Sequence, residues 1–281
     1  MTATNAAEST PIAGPSRTPR LAWRRMEGVN LGGWLLVAAT FGAWEIGARF
    51  GLIQSDIVPS VSDIIAEWTS SLIGGAMGDQ LLVTLRHMAV GYAIGASAGV
   101  LLGVLMGQSR RLWSLFEPFV EIARPIPLSA LVPLLILFLG IDDRLKITVV
   151  AIGAFFPVFM NSFAGVKAVS KTMRETGATF GLSPIRSTLQ IVLPAALPMI
   201  FVGLRYALTI GLVIALVSEM IAGNDGMGYY VIRAQQNLSV VQLFAGVFTL
   251  AFLGYALNFL FLAIERRVLQ WQPGSARRHA G

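Results

Sequence analysis

The sequence predicts an all-α, polytopic membrane protein with about six transmembrane helices. Three observations lead there. Of 281 residues, 55% are hydrophobic and only 13% are charged, where a soluble domain carries about 25% charge. Mean hydropathy is +0.69. Apolar runs recur at about the 20-residue length that a bilayer span needs. A soluble fold of this composition would expose large apolar patches. The composition therefore excludes a soluble enzyme and a disordered chain. The net charge of +6 lacks the clustered basic face of a nucleic-acid reader, so no nucleic-acid partner is expected.

Residues 1–30 are Ala/Ser/Thr/Pro-rich and end on Arg17, Arg20, Arg24 and Arg25. They read as a flexible cytoplasmic tail. The apolar stretch that follows starts late and runs long for a cleavable signal, so an uncleaved first span is expected at about 31–52. A targeting peptide is the alternative. Residues 53–80 are more polar. There Ile64, Ile65, Trp68 and Leu72 recur at helical spacing, and Ser60 sits three residues before Asp63 as at a helix start. This predicts a short amphipathic helix on the outer membrane surface, so that 31–80 comprises the first span and an extracytoplasmic segment.

Five further spans are expected at about 82–107, 119–140, 146–166, 194–222 and 241–264, with a cytoplasmic tail over 267–281. Pro125, Pro127 and Pro133 interrupt the third, Pro157 the fourth, and Pro194 and Pro198 the start of the fifth. Such prolines are tolerated where neighbours satisfy the freed carbonyls. With both termini inside, sixteen of the 21 Lys and Arg residues fall on the cytoplasmic side. Only Arg49, Arg86, Arg144, Lys146 and Arg233 fall outside, a positive-inside bias that an odd number of spans would spoil.

The second span carries Gly91, Gly95, Gly99, Gly103 and Gly107 at every fourth residue. Four residues advance about 400°, so the glycines form a slowly winding stripe that lets another helix come close, within the subunit or across an interface. Ionisable groups in or beside spans are functional candidates by default. Glu45 can pair with Arg49 one turn later. Glu117, Glu121 and Arg124 share a helical face at the cytoplasmic entrance to the third span, where Glu121 and Arg124 suit a surface salt bridge better than a gate. Arg205 suits snorkelling to headgroups. Glu219, near the outer end of the fifth span, is a gate or interface candidate. Phe155, Phe156, Asn161, Tyr206 and Ser218 are candidates to line a cavity or gate. No arginine falls unambiguously mid-span, so charge alone does not argue an anion site. With no cysteine and with His87 and His279 far apart, no metal site is read.

The most informative segment is the loop 167–193. A helix is expected from about Thr172 to Phe180, stopping at Gly181, which can take the left-handed conformation of a helix end. Ser183 then offers an N-cap and Pro184 the favoured first helical position. A second amphipathic helix is expected to run to Leu193, with Pro194 opening the next span. The whole would be a helix–turn–helix docking element.

Here the sequence resembles a known family. Glu175, Gly177, Gly181, Ile191, Leu193 and Pro194 are similar to the E-A-A-x3-G-x9-I-x-L-P loop of the permease subunits of binding-protein-dependent ABC importers. Thr176 and Gly177 replace the two alanines. Val58-Pro-Ser-Val-Ser-Asp63, Arg124-Pro-Ile-Pro127, Gly153-Ala-Phe-Phe-Pro157, Gly203-Leu-Arg205, Ser218-Glu-Met220 and Glu265-Arg-Arg267 resemble the nitrate/sulfonate/taurine branch. The resemblance implies a type I ABC permease core over 81–266 in a bacterial cytoplasmic membrane. It implies two permease subunits, expected to be identical, two ATPase subunits carrying ATP and Mg, and a periplasmic or lipid-anchored binding protein. Arg174 to Ser183, with Phe180 between, would be the coupling element, moved by ATPase closure to switch the cavity's access. The solute would be a small anion such as a sulfonate, nitrate or small carboxylate.

The chain itself should hold no cofactor and hydrolyse no ATP. A phosphate loop needs G-x4-G-K-[ST] after a strand. The nearest stretch, Gly165 to Thr172, has Ser170 at the second glycine and lies at a membrane helix end. The competing reading is an ion-gradient-driven secondary transporter. That class shows repeated halves and paired broken helices, and no repeat is visible.

Overall fold

The computed structural model describes residues 31–51 and 57–271, and among these all regular structure is helical. The chain divides into two compact units, residues 1–43 and 44–281. The described part of the first is the start of α1 (Leu31–Arg49), where Trp34, Leu35, Leu36 and Val37 are exposed. The expected tail at 1–30, and residues 272–281 of the one expected at 267–281, lie outside the described residues; residues 267–268 belong to the last helix.

In the second unit, α2 (Val61–Ile73) starts where the sequence suggests: the Ser60 hydroxyl accepts the Asp63 N–H. Its Trp68 indole donates to Thr249 at 2.9 Å. The centre of the unit is a trio of long helices, α3 (Ala76–Gln108), α6 (Asp143–Ala168) and α9, the last described below. The glycine stripe of α3 explains the closest contact. A Cβ at Gly91 would stand 2.7 Å from the Ile147 carbonyl, at Gly99 2.9 Å from that of Phe155, and at Gly103 2.6 Å from that of Phe159. The steps of four on α3 meet steps of four on α6, so the structure places the stripe inside the subunit. On α6, Gly165 does the same for α9, with Met199 Cβ 2.8 Å from its missing Cβ. The stretch resembling a phosphate loop is thus a helix-packing site.

The third expected span is not one helix. α4 (Arg110–Ala123) and α5 (Leu128–Leu139) meet at a bend of 96°. Prolines at 125 and 127 deny two backbone donors; Arg124 is still helical at φ −58, ψ −45, and the chain is extended at Pro127, φ −65, ψ 116. Val132 of α5 then packs with Leu145, Val149 and Ile214 on α6 and α9.

α7 (Lys171–Thr179) and α8 (Pro184–Ser187) follow. The second loop helix is not separate from the fifth span. α8 runs through a π-helical turn, Thr188–Val192, into α9 (Leu193–Ala222), and the Leu193 N–H bonds the Thr188 carbonyl five residues back. That widened turn absorbs the missing N–H and the ring of Pro194 without breaking the helix. α10 (Met227–Gln236), which the sequence reading passed over, and α11 (Val240–Val268) complete the unit. Ile64, Met77, Met227 and Ala245 form their common core with α2 and α3.

Four helical runs are long and apolar enough to cross a membrane: α3, α6, Pro184–Ala222 and α11. The bent pair α4–α5 brings the number to five. The remaining expected span is α1, 19 residues long and outside that count. The apolar windows of α3, α6 and the Pro184–Ala222 run are 39–44% buried, while that of α11 is only 11% buried. α11 is therefore a peripheral helix whose apolar surface needs lipid or another subunit.

Candidate functional site

Three places gather the functional candidates. The first is the loop 167–193. α7 ends as its sequence suggests: Gly181 has φ +68, and the Leu182 N–H returns to the Gly177 carbonyl at 3.0 Å, a helix-end closure that favours glycine. The Ser183 hydroxyl accepts the Arg186 N–H, and Pro184 holds the first helical position. Arg174 reaches back to the end of α6, donating to the Val166 carbonyl at 2.5 Å and the Val169 carbonyl at 3.5 Å. Gly177 lets α7 lie on the next element, since a Cβ there would be 2.8 Å from Ile191 Cδ1 and 3.0 Å from Ser187 Oγ. Both ends of the lever are thus tied to spans. Phe180 is 78% exposed and Glu175 is exposed, while Ile185 and Leu189, 72% and 58% exposed, line an apolar groove with Leu101, Leu105 and Leu112. The loop thus offers an exposed phenylalanine and an apolar groove, surfaces of the kind that take partners.

The second is a cavity of about 480 Å³ between the α4–α5 break and the middle of α6, lined by Arg124, Leu128, Phe156, Pro157, Asn161 and Ile210 among others. Pro157 cannot bond the Gly153 carbonyl, and Gly153 also faces the cavity. The Asn161 amide nitrogen donates to the Pro157 carbonyl at 2.8 Å.

The third is a buried polar network at the opposite end of the spans from the loop. Glu219 of α9 is fully buried. It accepts from the Thr84 hydroxyl at 2.8 Å and the Gly228 N–H at 3.0 Å, and lies 3.0 Å from His87 Nδ1. His87 Nε2 is 3.1 Å from Asp143, which Arg86 meets at 3.2 Å. Buried Lys146 pairs with Asp225. The Met227 N–H donates to Thr84 Oγ1 at 2.7 Å. Gly226 has φ +93, and a side chain there would fall on the Glu219 carboxylate. Glu219 thus pins the turn 223–228 and α3 to the end of α9. His87, Asp143 and Asp225 bring three donor atoms within 4.8 Å. Arg86 and Lys146 already neutralise both carboxylates, so the group is an ion-pair network rather than an open ligand set.

The structure sorts the predicted pathway residues. Phe156 and Asn161 line the cavity. Phe155 does not: it lines an apolar groove beside α3 and α4, which Phe156 also reaches, and stacks on Phe159, ring centroids 5.4 Å apart. Ser218 is buried, and its hydroxyl bonds the Ala215 carbonyl of its own helix at 2.8 Å, so it lines nothing. Glu219 is a buried anchor rather than an exposed gate. Tyr206 is 62% exposed, one turn from Ile210. The expected Glu121–Arg124 pair does not form; among the described residues Arg124 has no carboxylate within 4 Å. Arg205 donates to Asn258 of α11 at 3.2 Å. Glu45 does pair with Arg49, at 2.5 Å, and also accepts the Ser62 N–H. His87, Thr84, Asp143 and Lys146 were missed because their partners lie far along the chain. The one signal was that Glu219 is an ionisable group inside a span.

Comparison with known proteins places this geometry. Residues 99–270 match the family described as the binding-protein-dependent transport system inner membrane component. A protein named "Putative aliphatic sulfonates transport permease protein SsuC", of Escherichia coli (strain K12), is 32% identical over 241 residues, covering 85% of this chain and 91% of that protein. Its counterpart in Bacillus subtilis (strain 168) is 29% identical, with 91% and 94% covered. The taurine transport system permease protein TauC of Escherichia coli (strain K12) is 28% identical, with 90% and 94% covered. Among solved structures, an inward-facing MetNI methionine ABC transporter chain superposes with TM-score 0.57 at 21% identity, covering 70% of this chain and 95% of that one. An amino acid ABC transporter gives TM-score 0.55 at 18% identity, covering 74% and 97%; both likenesses speak for the fold alone. The chain belongs to the binding-protein-dependent transport system inner membrane components, the multi-pass ABC-importer permeases that bind no cofactor and work with separate ATPase subunits and a solute-binding protein.

Proposed function

We propose that this chain forms the translocation pathway for a small anionic solute of the sulfonate, nitrate or small carboxylate type, and that the loop 167–193 couples its access to ATP hydrolysis on the partner. The observation that carries the reading is the loop itself: a short helix anchored to α6 by Arg174 and to α9 through Gly177 and Ile191, with Phe180, Ile185 and Leu189 exposed. A lever tied at both ends transmits a push to both spans. α6 and α9 then act as a two-state element biased by ligand at a distant site. The solute class is supported by relatives named for sulfonates and taurine. In this reading Glu175 and the loop face the cytoplasm with both termini, as the positive-inside bias supports. The Glu219 network then closes the outer end, and a second copy of the chain completes the pathway. An ion-gradient-driven carrier would have no use for the exposed loop.

Gly181 offers the test. A Cβ there meets nothing within 4 Å, so a side chain leaves the backbone into open space. Gly181→Ala and Gly181→Trp share the backbone strain of positive φ, about 1–2 kcal/mol. Only tryptophan carries bulk beyond the Cβ. The expected result is that the ATPase subunit co-purifies with Gly181→Ala and not with Gly181→Trp, both variants being membrane-inserted. Equal co-purification would remove the loop from the docking surface.

A further inference from the structure

The cavity beside the α4–α5 break carries one charge, and its depth defines what that charge can do. α6 has 26 residues, about 39 Å of helix, which crosses the roughly 30 Å of hydrocarbon. The cavity touches α6 from Ile152 to Asn161. Its Gly153-to-Asn161 stretch lies about 15–27 Å along the helix from Asp143. α5 turns back on α6 through residues 140–142 and is only 12 residues long, about 18 Å. The irregular backbone of residues 124–127 therefore lies at the same depth, inside the membrane rather than at its entrance. Irregular backbone at that depth is tolerated only against protein or a water-filled cavity. Residues 124 to 127 are all exposed in the single chain, and what covers them is the cavity or the facing surface of a second copy.

Among the described residues, Arg124 is the only ionisable side chain lining this cavity, and no carboxylate pairs with it. The other walls are apolar except for Asn161, whose amide nitrogen is already committed to Pro157. A lone cation between low-dielectric walls concentrates anions. A guanidinium fork matches two oxygens of a carboxylate, and the same geometry meets a sulfonate. Its exposure lets an anion arrive and leave without breaking a buried pair.

We infer that Arg124 is the anion-reading residue of the pathway, pairing in passing with a small sulfonate or carboxylate at mid-membrane. This rests on the proposed reading of the chain as the permease of an anion importer. The chain has no cysteine, so Met160→Cys on the cavity wall gives it a single thiol. In the assembled complex in nanodiscs, labelling of this chain is followed by mass spectrometry. One reagent is 2-sulfonatoethyl methanethiosulfonate, itself an alkylsulfonate; the other is its cationic trimethylammonioethyl analogue. The sulfonate-to-ammonium rate ratio should fall about tenfold in Arg124→Gln, and Arg124→Lys should restore most of it. A ratio unmoved by glutamine, or lowered equally by lysine, overturns the inference, as does a thiol that neither reagent reaches. ATP-driven uptake of ethanesulfonate by the Arg124 complex separates the two readings. Uptake absent with the ratio still governed by Arg124 overturns the proposed solute class and not the anion site. Uptake present with the ratio unmoved overturns the anion site alone.

Discussion

Gly103→Ala is the sharpest test of how the long helices are held. The added Cβ would stand 2.6 Å from the Phe159 carbonyl oxygen, 2.7 Å from Ser162 Cβ and 3.1 Å from the Phe163 nitrogen, where ordinary contact begins at 3.4 Å. Most of these atoms are backbone of α6, so no side chain can swing aside. α3 and α6 must part by about 0.8 Å, which also loosens the contacts at Gly99 and Gly107. Overpacking of this kind costs about 1–3 kcal/mol, here toward the upper end, and alanine recovers about 1 kcal/mol of helix propensity, leaving about 2 kcal/mol of destabilisation. Gly211→Ala is the control. Its Cβ would meet only Val150 Cγ1, at 3.7 Å, so it keeps the propensity gain without the clash. The two variants should differ by about 3 kcal/mol, or roughly 6–12 °C in melting midpoint for a chain of this size. Thermal unfolding of the purified chain in detergent, followed by tryptophan fluorescence, reads this directly. If Gly103→Ala melts at or above the unsubstituted chain, or Gly211→Ala falls as far, the stripe does not set the α3–α6 distance.

Other perturbations address the two ends of the spans. Glu219→Leu strands the Thr84 hydroxyl, the Gly228 N–H and His87 without their acceptor, and should cost about 3–5 kcal/mol. The near-isosteric Glu219→Gln should cost less, about 1–3 kcal/mol. Melting midpoints in that order support the anchor, and a stable Glu219→Leu protein would refute it. Arg174→Ala removes the guanidinium that holds α7 to the Val166 and Val169 carbonyls. Hydrogen exchange should accelerate across residues 171–179 while the α3–α6–α9 core keeps its protection. Uniform protection in both proteins would show that the lever is held by something else.

Local features were legible in the sequence and long-range ones were not. Ser60, Ser183, Pro184 and Gly181 act within four residues of themselves, and the structure has each at the helix end its chemistry suggests. The spans follow from apolar length. The break at Arg124–Pro127 was visible as prolines, yet a bend of 96° depends on what packs against each half. The sequence could not therefore show which cavity Arg124 lines. Phe155 and Phe156 could have been separated in advance, since neighbours on a helix point about 100° apart. The Glu219 network joins residues from 132 to 135 positions apart, and no periodicity reports such a distance. α10 was missed because its Gly-Tyr-Tyr-Val-Ile-Arg run has no clean apolar period, and its burial comes from α11, α9 and α3.

The central claim is that partner ATP hydrolysis, delivered through the 167–193 loop, drives solute through this chain. The most direct measurement is uptake of labelled ethanesulfonate, nitrate and acetate into proteoliposomes holding the permease with its ATPase, with binding protein supplied outside. The account predicts uptake of at least one of these anions that needs both ATP and the binding protein and disappears with Gly181→Trp. Uptake in ATP-free vesicles driven by an ion gradient, or uptake indifferent to Gly181→Trp, would contradict it.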